Sequence, residues 1–431
     1  MNKETFSTFY IEHATFSKET LLCTLHYSFD KKVFFTEEIH FASEWFEIRK
    51  DMKQEVIENI CFHILIAFWI SYYKLNPTKK IIVESWCLDE KQLIFWRKFY
   101  INGLGEFFYK NDIDFTELCF FESSWEKIYS QENISLQERY LVPIGGGKDS
   151  IVTTILLDQE GKNQDITPFI FWKSDRIKDD FLEIYWKKAL LIKRKLSPFL
   201  FEMNEVWYLN GHVPITGLIS FVLVLASYLY DYKHIVFSNE RSANIGNTEF
   251  YGNLINHQYS KSEEFEEDFR NYIGQYISPD IDYFSKLRNF SELEIARIFS
   301  EKGKKYFTTF SSCNANFKIN WILQNTRWCN HCPKCLFVYT IMRPFITNDE
   351  VKSIWWEELF EKPELETLFK EIIGVSGFKP FECVGEIDEA ILASQLSQEK
   401  FTEKPYLLHL LKTLSPEEIT LLQKKYLKIL G

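Results

Sequence analysis

Six residues, Gly145-Gly146-Gly147-Lys148-Asp149-Ser150, separate a short apolar run, Arg139 to Ile144, from the first turns of an apolar helix, Ser150 to Leu157. Strand, glycine turn and buried helix in that order open a parallel α/β unit, and few other folds accommodate them. Three consecutive glycines let the backbone turn sharply and direct its N–H groups into one concavity, where the helix N-terminus adds partial positive charge. The preferred occupant of such a nest is a polyphosphate. Two familiar nucleotide loops fail on spacing. A Walker A loop needs glycine where Val142 stands and Ser or Thr where Asp149 stands. A G-x-G-x-x-G fingerprint is poorly matched by Lys148 and Ser150.

From Tyr140 onward the pattern predicts alternating strands and helices, with strands at Tyr140–Ile144, Thr167–Lys173, Glu205–Leu209 and His234–Ser238. Ligands of such a parallel sheet bind at the carboxyl ends of the strands, so the loops after these four are expected to face one crevice. Residues 1–130 read as an N-terminal α+β domain without a chemical motif. It holds strand-like runs at Leu21–Phe29, Lys32–Phe35 and Lys80–Glu84 and a helix near Val56–Tyr73. Residues 131–345 form the expected α/β domain, and 346–431 a helical C-terminal region. At 431 residues, with 46% hydrophobic and 26% charged residues, the chain can build a substantial core. Its net charge of −11 argues against a nucleic-acid or anionic-membrane partner, so a polyanionic ligand would need a locally basic pocket. The polar N-terminus lacks a signal-like apolar segment, and the apolar runs Cys61–Tyr73 and Leu218–Tyr230 fall short of the roughly 20 residues of a spanning helix. A cytoplasmic location is therefore expected. In a reducing compartment the nine cysteines read as thiols or metal ligands.

The fourth strand runs into Ser238-Asn239-Glu240-Arg241-Ser242-Ala243-Asn244, and Asn256-His257-Gln258-Tyr259-Ser260-Lys261-Ser262 follows. Arg241 suits a bidentate clamp on phosphate or carboxylate, Lys261 a point charge, and His257 a proton carrier near neutral pH. Ser262 is expected to N-cap the acidic helix after it, and Ser291-Glu292-Leu293-Glu294 reads as a purely structural capping box. Cys313 and the run Cys329-Asn330-His331-Cys332-Pro333-Lys334-Cys335 have the spacing of a closed tetrahedral zinc site, an Fe–S cluster being the lesser reading. His331, between two ligating cysteines, would point away. In Gly377 to Gly385 the flanking glycines suggest an exposed bend. There Cys383 could carry a proton or simply fill space, and Lys379 could meet a substrate anion.

The loop at 145–150 is similar to the S-G-G-x-D-S pyrophosphate loop of the ATP pyrophosphatase superfamily, with Gly145 in place of the first serine. Together with Asn239–Ala243, Asn256–Ser262, the cysteine trio and Lys379–Gly385, it resembles the bacterial UDP-N-acetyl-α-D-muramoyl-L-alanyl-L-glutamate epimerases over roughly residues 140–390. The resemblance implies an ATP pyrophosphatase-like (adenine nucleotide α-hydrolase-like) parallel-sheet core. It also implies ATP- and Mg²⁺-dependent inversion of the terminal L-Glu of a peptidoglycan precursor, with AMP and pyrophosphate released. On that basis Gly145, Gly146, Gly147, Lys148 and Ser150 would hold the leaving pyrophosphate, and Asp149 would hold Mg²⁺ or orient the loop. His257, Cys383 and Lys261 are the catalytic candidates. Asn239, Glu240, Arg241, Ser242 and Lys379 are the substrate-binding candidates, and Cys313, Cys329, Cys332 and Cys335 would bind structural Zn²⁺. The expected partners are ATP and a small UDP-linked muramoyl dipeptide, with neither nucleic acid nor membrane. Other readings of the same loop are an amidating or thiolating enzyme resembling 7-cyano-7-deazaguanine synthases and a non-catalytic ATP-binding module.

Overall fold

The computed structural model describes residues 5–42, 45–118, 120–123, 131–171, 184, 188–206, 208–317, 327–376, 381–382 and 384–427. Lys379 and Cys383 lie outside the described residues. The strands are β1 (Thr8–Ser17), β2 (Leu22–Phe29), β3 (Val33–His40), β4 (Lys80–Val83), β5 (Phe120–Ser123), β6 (Tyr140–Pro143), β7 (Ile166–Phe171), β8 (Leu190–Lys195), β9 (His234–Phe237), β10 (Thr248–Phe250), β11 (Asn253–Ile255) and β12 (Asp282–Ser285). Among the described residues, ten of them form one sheet in the order β12-β9-β6-β7-β8-β3-β2-β1-β4-β5. The five strands from β12 to β8 run parallel. Chain order reverses at β6, which has β7 on one side and β9 on the other, and that reversal is where open α/β sheets leave a crevice for ligand. The glycine loop follows β6 directly.

The third parallel strand is β8 and not Glu205–Leu209, because Glu205 closes the helix Pro198–Glu205. In β8, Leu190, Ile192 and Arg194 are buried while Lys193 and Lys195 are exposed. Its period-2 pattern is therefore sound, but an arginine on the inward face disguises it. The short edge strand β12 adds a fifth parallel strand that its four residues had not announced.

β3 pairs antiparallel with β8, Ile39 opposite Arg194, and this seam makes the N-terminal strands continuous with the parallel half. Arg194 is buried there. Its Nε donates to Glu37, its Nη2 donates to Ser71 Oγ at 2.9 Å, and its guanidinium lies 4.8 Å from the Phe68 ring centroid. Arg194→Met would strand a carboxylate at 0% exposure, at an expected cost of about 3–5 kcal/mol in urea unfolding. A Glu37→Leu/Arg194→Met double variant should recover most of that loss. A single-variant effect under about 1 kcal/mol would show that the seam does not depend on the pair.

The helix Gln54–Phe68 continues as Ile70–Tyr73, and by length and composition this stretch could cross a membrane. Here 94% of its apolar window is buried inside the chain, with β1 and the apolar helix Ile215–Tyr230 packed against it. A second core gathers the helices Lys148–Gln159, Glu292–Lys302, Pro333–Met342 and Ile387–Ser397 around β6 and β7. This second core backs the glycine loop and the cysteine cluster.

Candidate functional site

The loop after β6 is shaped by its glycines. Gly146 sits at φ +82°, a conformation costly for other residues, and its carbonyl accepts from the Ser311 N–H at 2.9 Å. A Cβ on Gly147 would lie 2.8 Å from Ser312 Oγ. Behind the loop, Lys148 is 1% exposed, and its ammonium contacts both Asp149 and Glu292. Glu292 Oε1 is also 3.6 Å from Lys334 Nζ. Burial alone would push the Lys148 ammonium down, but Asp149 and Glu292 hold it above the usual lysine range. Burial likewise raises the Asp149 carboxyl, and Lys148, Lys334 and Lys261 together pull it below its ordinary value. For Glu292 burial prevails and the carboxyl is raised. One oxygen from each of Asp149, Glu240 and Glu292 lies within 4.8 Å of the others, a donor set that suits a hard divalent cation.

The segments around 240 and 257 form one structural unit. β10 and β11 pair as a hairpin between them, Asn256 Nδ2 donates to the Ala243 carbonyl at 2.8 Å, and the His257 N–H donates to Asn247 Oδ1 at 3.0 Å. Buried Arg288 fastens the unit from beneath, donating to the carbonyls of Glu240 (3.2 Å) and Lys261 (2.9 Å) and to Glu266 Oε2 (2.7 Å). Asn239 donates to Ser285 Oγ at 3.0 Å, and Ser242 donates to Glu240 Oε1 at 3.2 Å. Arg241 is paired with Glu386 Oε1 at 3.1 Å and lies 5.3 Å from the Tyr426 ring centroid.

The four cysteines converge. Cys332 Sγ is 3.4 Å and Cys329 Sγ 3.7 Å from Cys335 Sγ, and all four sulfurs lie within 4.8 Å of one another. A tetrahedral ion with zinc-like bonds separates its sulfurs by about 3.8 Å, so the set fits a metal such as zinc. Hydrogen bonds from Cys313 hold Cys329 and Cys332 below the usual thiol range, Cys332 at about 7. The cluster also shapes the glycine loop. Cys313 follows Ser311 and Ser312, which pack on Gly146 and Gly147, and Lys334 lies between Cys332 and Cys335.

A second polar cluster stands near the first. Glu106, on the helix Gly105–Lys110, receives His257 Nδ1 in close contact on Oε2 and has His212 Nδ1 3.4 Å from the same oxygen. Lys110 pairs with Oε1. The segment after Pro380 joins the two clusters. The Phe381 ring packs against Tyr109, centroids 5.3 Å apart, while a Cβ on Gly385 would lie 3.2 Å from Glu292 Cβ and 2.6 Å from Glu389 Oε2. Phe381 and Gly385 are four residues apart, at most about 14 Å of chain, so the helix that carries Glu106 and the surroundings of Glu292 are contacted from one short segment.

Glu240 lies beside Asp149, and Lys261 acts on the Asp149 charge, while Lys379 and Cys383 lie outside the described residues; several residues of these clusters went unread. Glu292 had been taken for a cap and nothing more. Ser291 does cap, accepting from the Glu294 N–H at 3.0 Å, while the adjacent Glu292 turns to Lys148. Its place beside a capping serine was the only signal. Glu106, His212, Arg288 and Glu386 carry no motif.

Comparison with known proteins bears on the whole chain. The family model of the MurL N-terminal domain matches residues 1–286, and that of the MurL C-terminal domain matches residues 309–424. Among curated proteins, a UDP-N-acetyl-α-D-muramoyl-L-alanyl-L-glutamate epimerase of Xanthomonas oryzae pv. oryzae is 32% identical over 97% of this chain and 93% of its own length. Proteins of the same name from Salinispora tropica and a Micromonospora species are each 34% identical over 77% of this chain, covering 71% and 73% of their own lengths.

Proposed function

Since this chain belongs to the MurL epimerase family and is an isomerase of that kind, we propose that it inverts the terminal L-glutamate of UDP-N-acetylmuramoyl-L-alanyl-L-glutamate after activating the carboxylate with ATP. The observation that carries the ATP half is the glycine loop at the sheet's switch point, with buried Lys148 beside Asp149 and Glu292. The same strand order supports an ATP pyrophosphatase-like core.

The chemistry requires activation first. Removing the α-proton beside a free carboxylate would place a carbanion next to an existing negative charge. A carboxylate oxygen attacking the α-phosphorus of ATP expels pyrophosphate and leaves an uncharged acyl group that can delocalise the carbanion. The loop N–H groups and Lys148 would hold the departing pyrophosphate. Asp149, Glu240 and Glu292 would hold Mg²⁺, which when bound neutralises phosphate charge. A base then takes the α-proton, an acid returns one to the opposite face, and water releases AMP. The four cysteines would hold Zn²⁺ as a structural brace, and the reaction belongs to peptidoglycan precursor synthesis in the cytoplasm.

The test is incubation with ATP, Mg²⁺ and UDP-MurNAc-L-Ala-L-Glu in D₂O, scoring AMP, glutamate chirality and Cα deuterium. D-Glu carrying deuterium, with AMP formed, is the expected result. AMP without inversion would point to another carboxylate substrate, and inversion without AMP would remove the adenylation step.

A further inference from the structure

We infer that Glu106, His212 and His257 form one carboxylate–imidazole unit that moves the substrate's α-proton, with His257 the catalytic base and Glu106 and His212 positioning residues supplied from outside the recognised motifs. The inference rests on the epimerase reading above.

Three separate chain segments build the unit: the helix Gly105–Lys110, the loop at 209–214 and the loop after β11. Both imidazoles turn Nδ1 to the same oxygen, Glu106 Oε2, with ring centroids 4.6 Å apart and planes tilted by 49°. A histidine whose Nδ1–H is given to a carboxylate presents Nε2 as its basic nitrogen, and the carboxylate stabilises the imidazolium that forms. Asn247 Oδ1, accepting from the His257 N–H at 3.0 Å, fixes the backbone that carries the ring.

The surroundings keep the charges in order. Burial would raise the Glu106 carboxyl, but the hydrogen bond from His257, the positive charge the two imidazoles take on only at low pH and the hydrogen bond from Lys110 hold it at about 2, so it stays ionised. Burial, followed by the charge of His257, keeps His212 neutral down to about 3, with Lys74 and Lys110 acting in the same direction. Lys74 is held beside His212 by Asn210 Oδ1 at 2.7 Å and the Gly211 carbonyl at 2.9 Å. Neutral His212, its Nδ1 3.4 Å from Oε2, flanks the carboxylate, leaving His257, in close contact with that oxygen, as the imidazole that gains the proton. One ligand atom from each of Glu106, His212 and His257 also lies within 4.8 Å of the others, so Mn²⁺ binding is measured beside the proton chemistry.

In the step itself, the Cα–H proton passes to His257 Nε2 and the C–H electron pair delocalises into the activated acyl carbonyl. A solvent-equilibrated acid on the other face of Cα donates the proton that completes inversion. Imidazolium returns its proton to solvent.

The experiment follows Cα deuterium exchange and AMP release in parallel across pH 5–9 for the full chain and for Glu106→Gln, Glu106→Asp, His212→Asn and His257→Gln. His257→Gln should lose exchange by about 10³-fold or more while AMP release persists. Glu106→Gln should lower exchange by about 10–100-fold and move the acid limb of its pH profile down by about one unit, since the imidazolium loses its counter-charge, and Glu106→Asp should partly restore both. His212→Asn should lower exchange with a smaller shift in the same direction. An unmoved acid limb in Glu106→Gln, or AMP release and exchange falling together in every variant, would overturn the unit. Mn²⁺ bound by the unaltered chain and not by Glu106→Gln would overturn it as well. Absence of inversion in the unaltered chain would instead count against the functional reading.

Discussion

Methionine in place of Lys148 is expected to reduce AMP release by about 10²–10³-fold or more, the scale of removing a preorganised charge from a developing anion. The same change should cost about 3–5 kcal/mol of stability, because it strips the counter-ion from a buried carboxylate. Glu292 is 1% exposed, with Lys334 left at 3.6 Å as its nearest cation. These two losses are separable. In Lys148→Met/Glu292→Gln the charge at 292 is gone and Asp149 keeps Lys334 and Lys261 as neighbouring cations, so urea unfolding should return to within about 1–2 kcal/mol of the parent, while AMP release stays low because both Lys148 and a Mg²⁺ ligand are lost. Recovery of AMP release in the double variant would reduce Lys148 to a structural counter-ion and would leave pyrophosphate to the backbone N–H groups alone.

Serine in place of Cys335 should empty the metal site. Cys335 is fully buried, and its sulfur is the common neighbour of Cys329 and Cys332. A hydroxyl is a harder and shorter ligand that zinc binds poorly in such a set. Zinc content should fall from one per chain to under about 0.1. Stability should drop by more than about 5 kcal/mol, given the about 10–16 kcal/mol that structural zinc contributes in small domains. Metal analysis paired with thermal unfolding checks both. Activity should fall as well, because the cluster fixes Ser311 and Ser312 against the glycine loop and carries Lys334 towards Glu292. Retention of full metal by Cys335→Ser would sink the four-sulfur assignment.

What could be read in advance had short-range causes. The strand, glycine turn and helix at 140–157, the cysteine spacing and the caps at Ser262 and Ser291 each declare themselves within a few residues, and both caps form as expected. The unread parts depend on distant partners. Arg241 meets Glu386 across 145 positions, and Lys148 meets Glu292 across 144. Glu106 meets His257 across 151. No local period or spacing marks such residues, because their role is set by where the sheet delivers them. β8 was misplaced for a related reason. An inward-facing arginine looks like surface until Glu37 is known to wait opposite it.

The seam between β3 and β8 also bears on how this chain can be handled in pieces. With the sheet continuous, its outer strands among the described residues are β12 and β5. Dividing the chain so that β3 and β8 part would create two new edges with unpaired backbone N–H and C=O groups, each flanked by an apolar core. Separated halves would thus be templates for aggregation, and with a cut between Glu106 and Gly145 the half bearing the glycine loop would also lack Glu106.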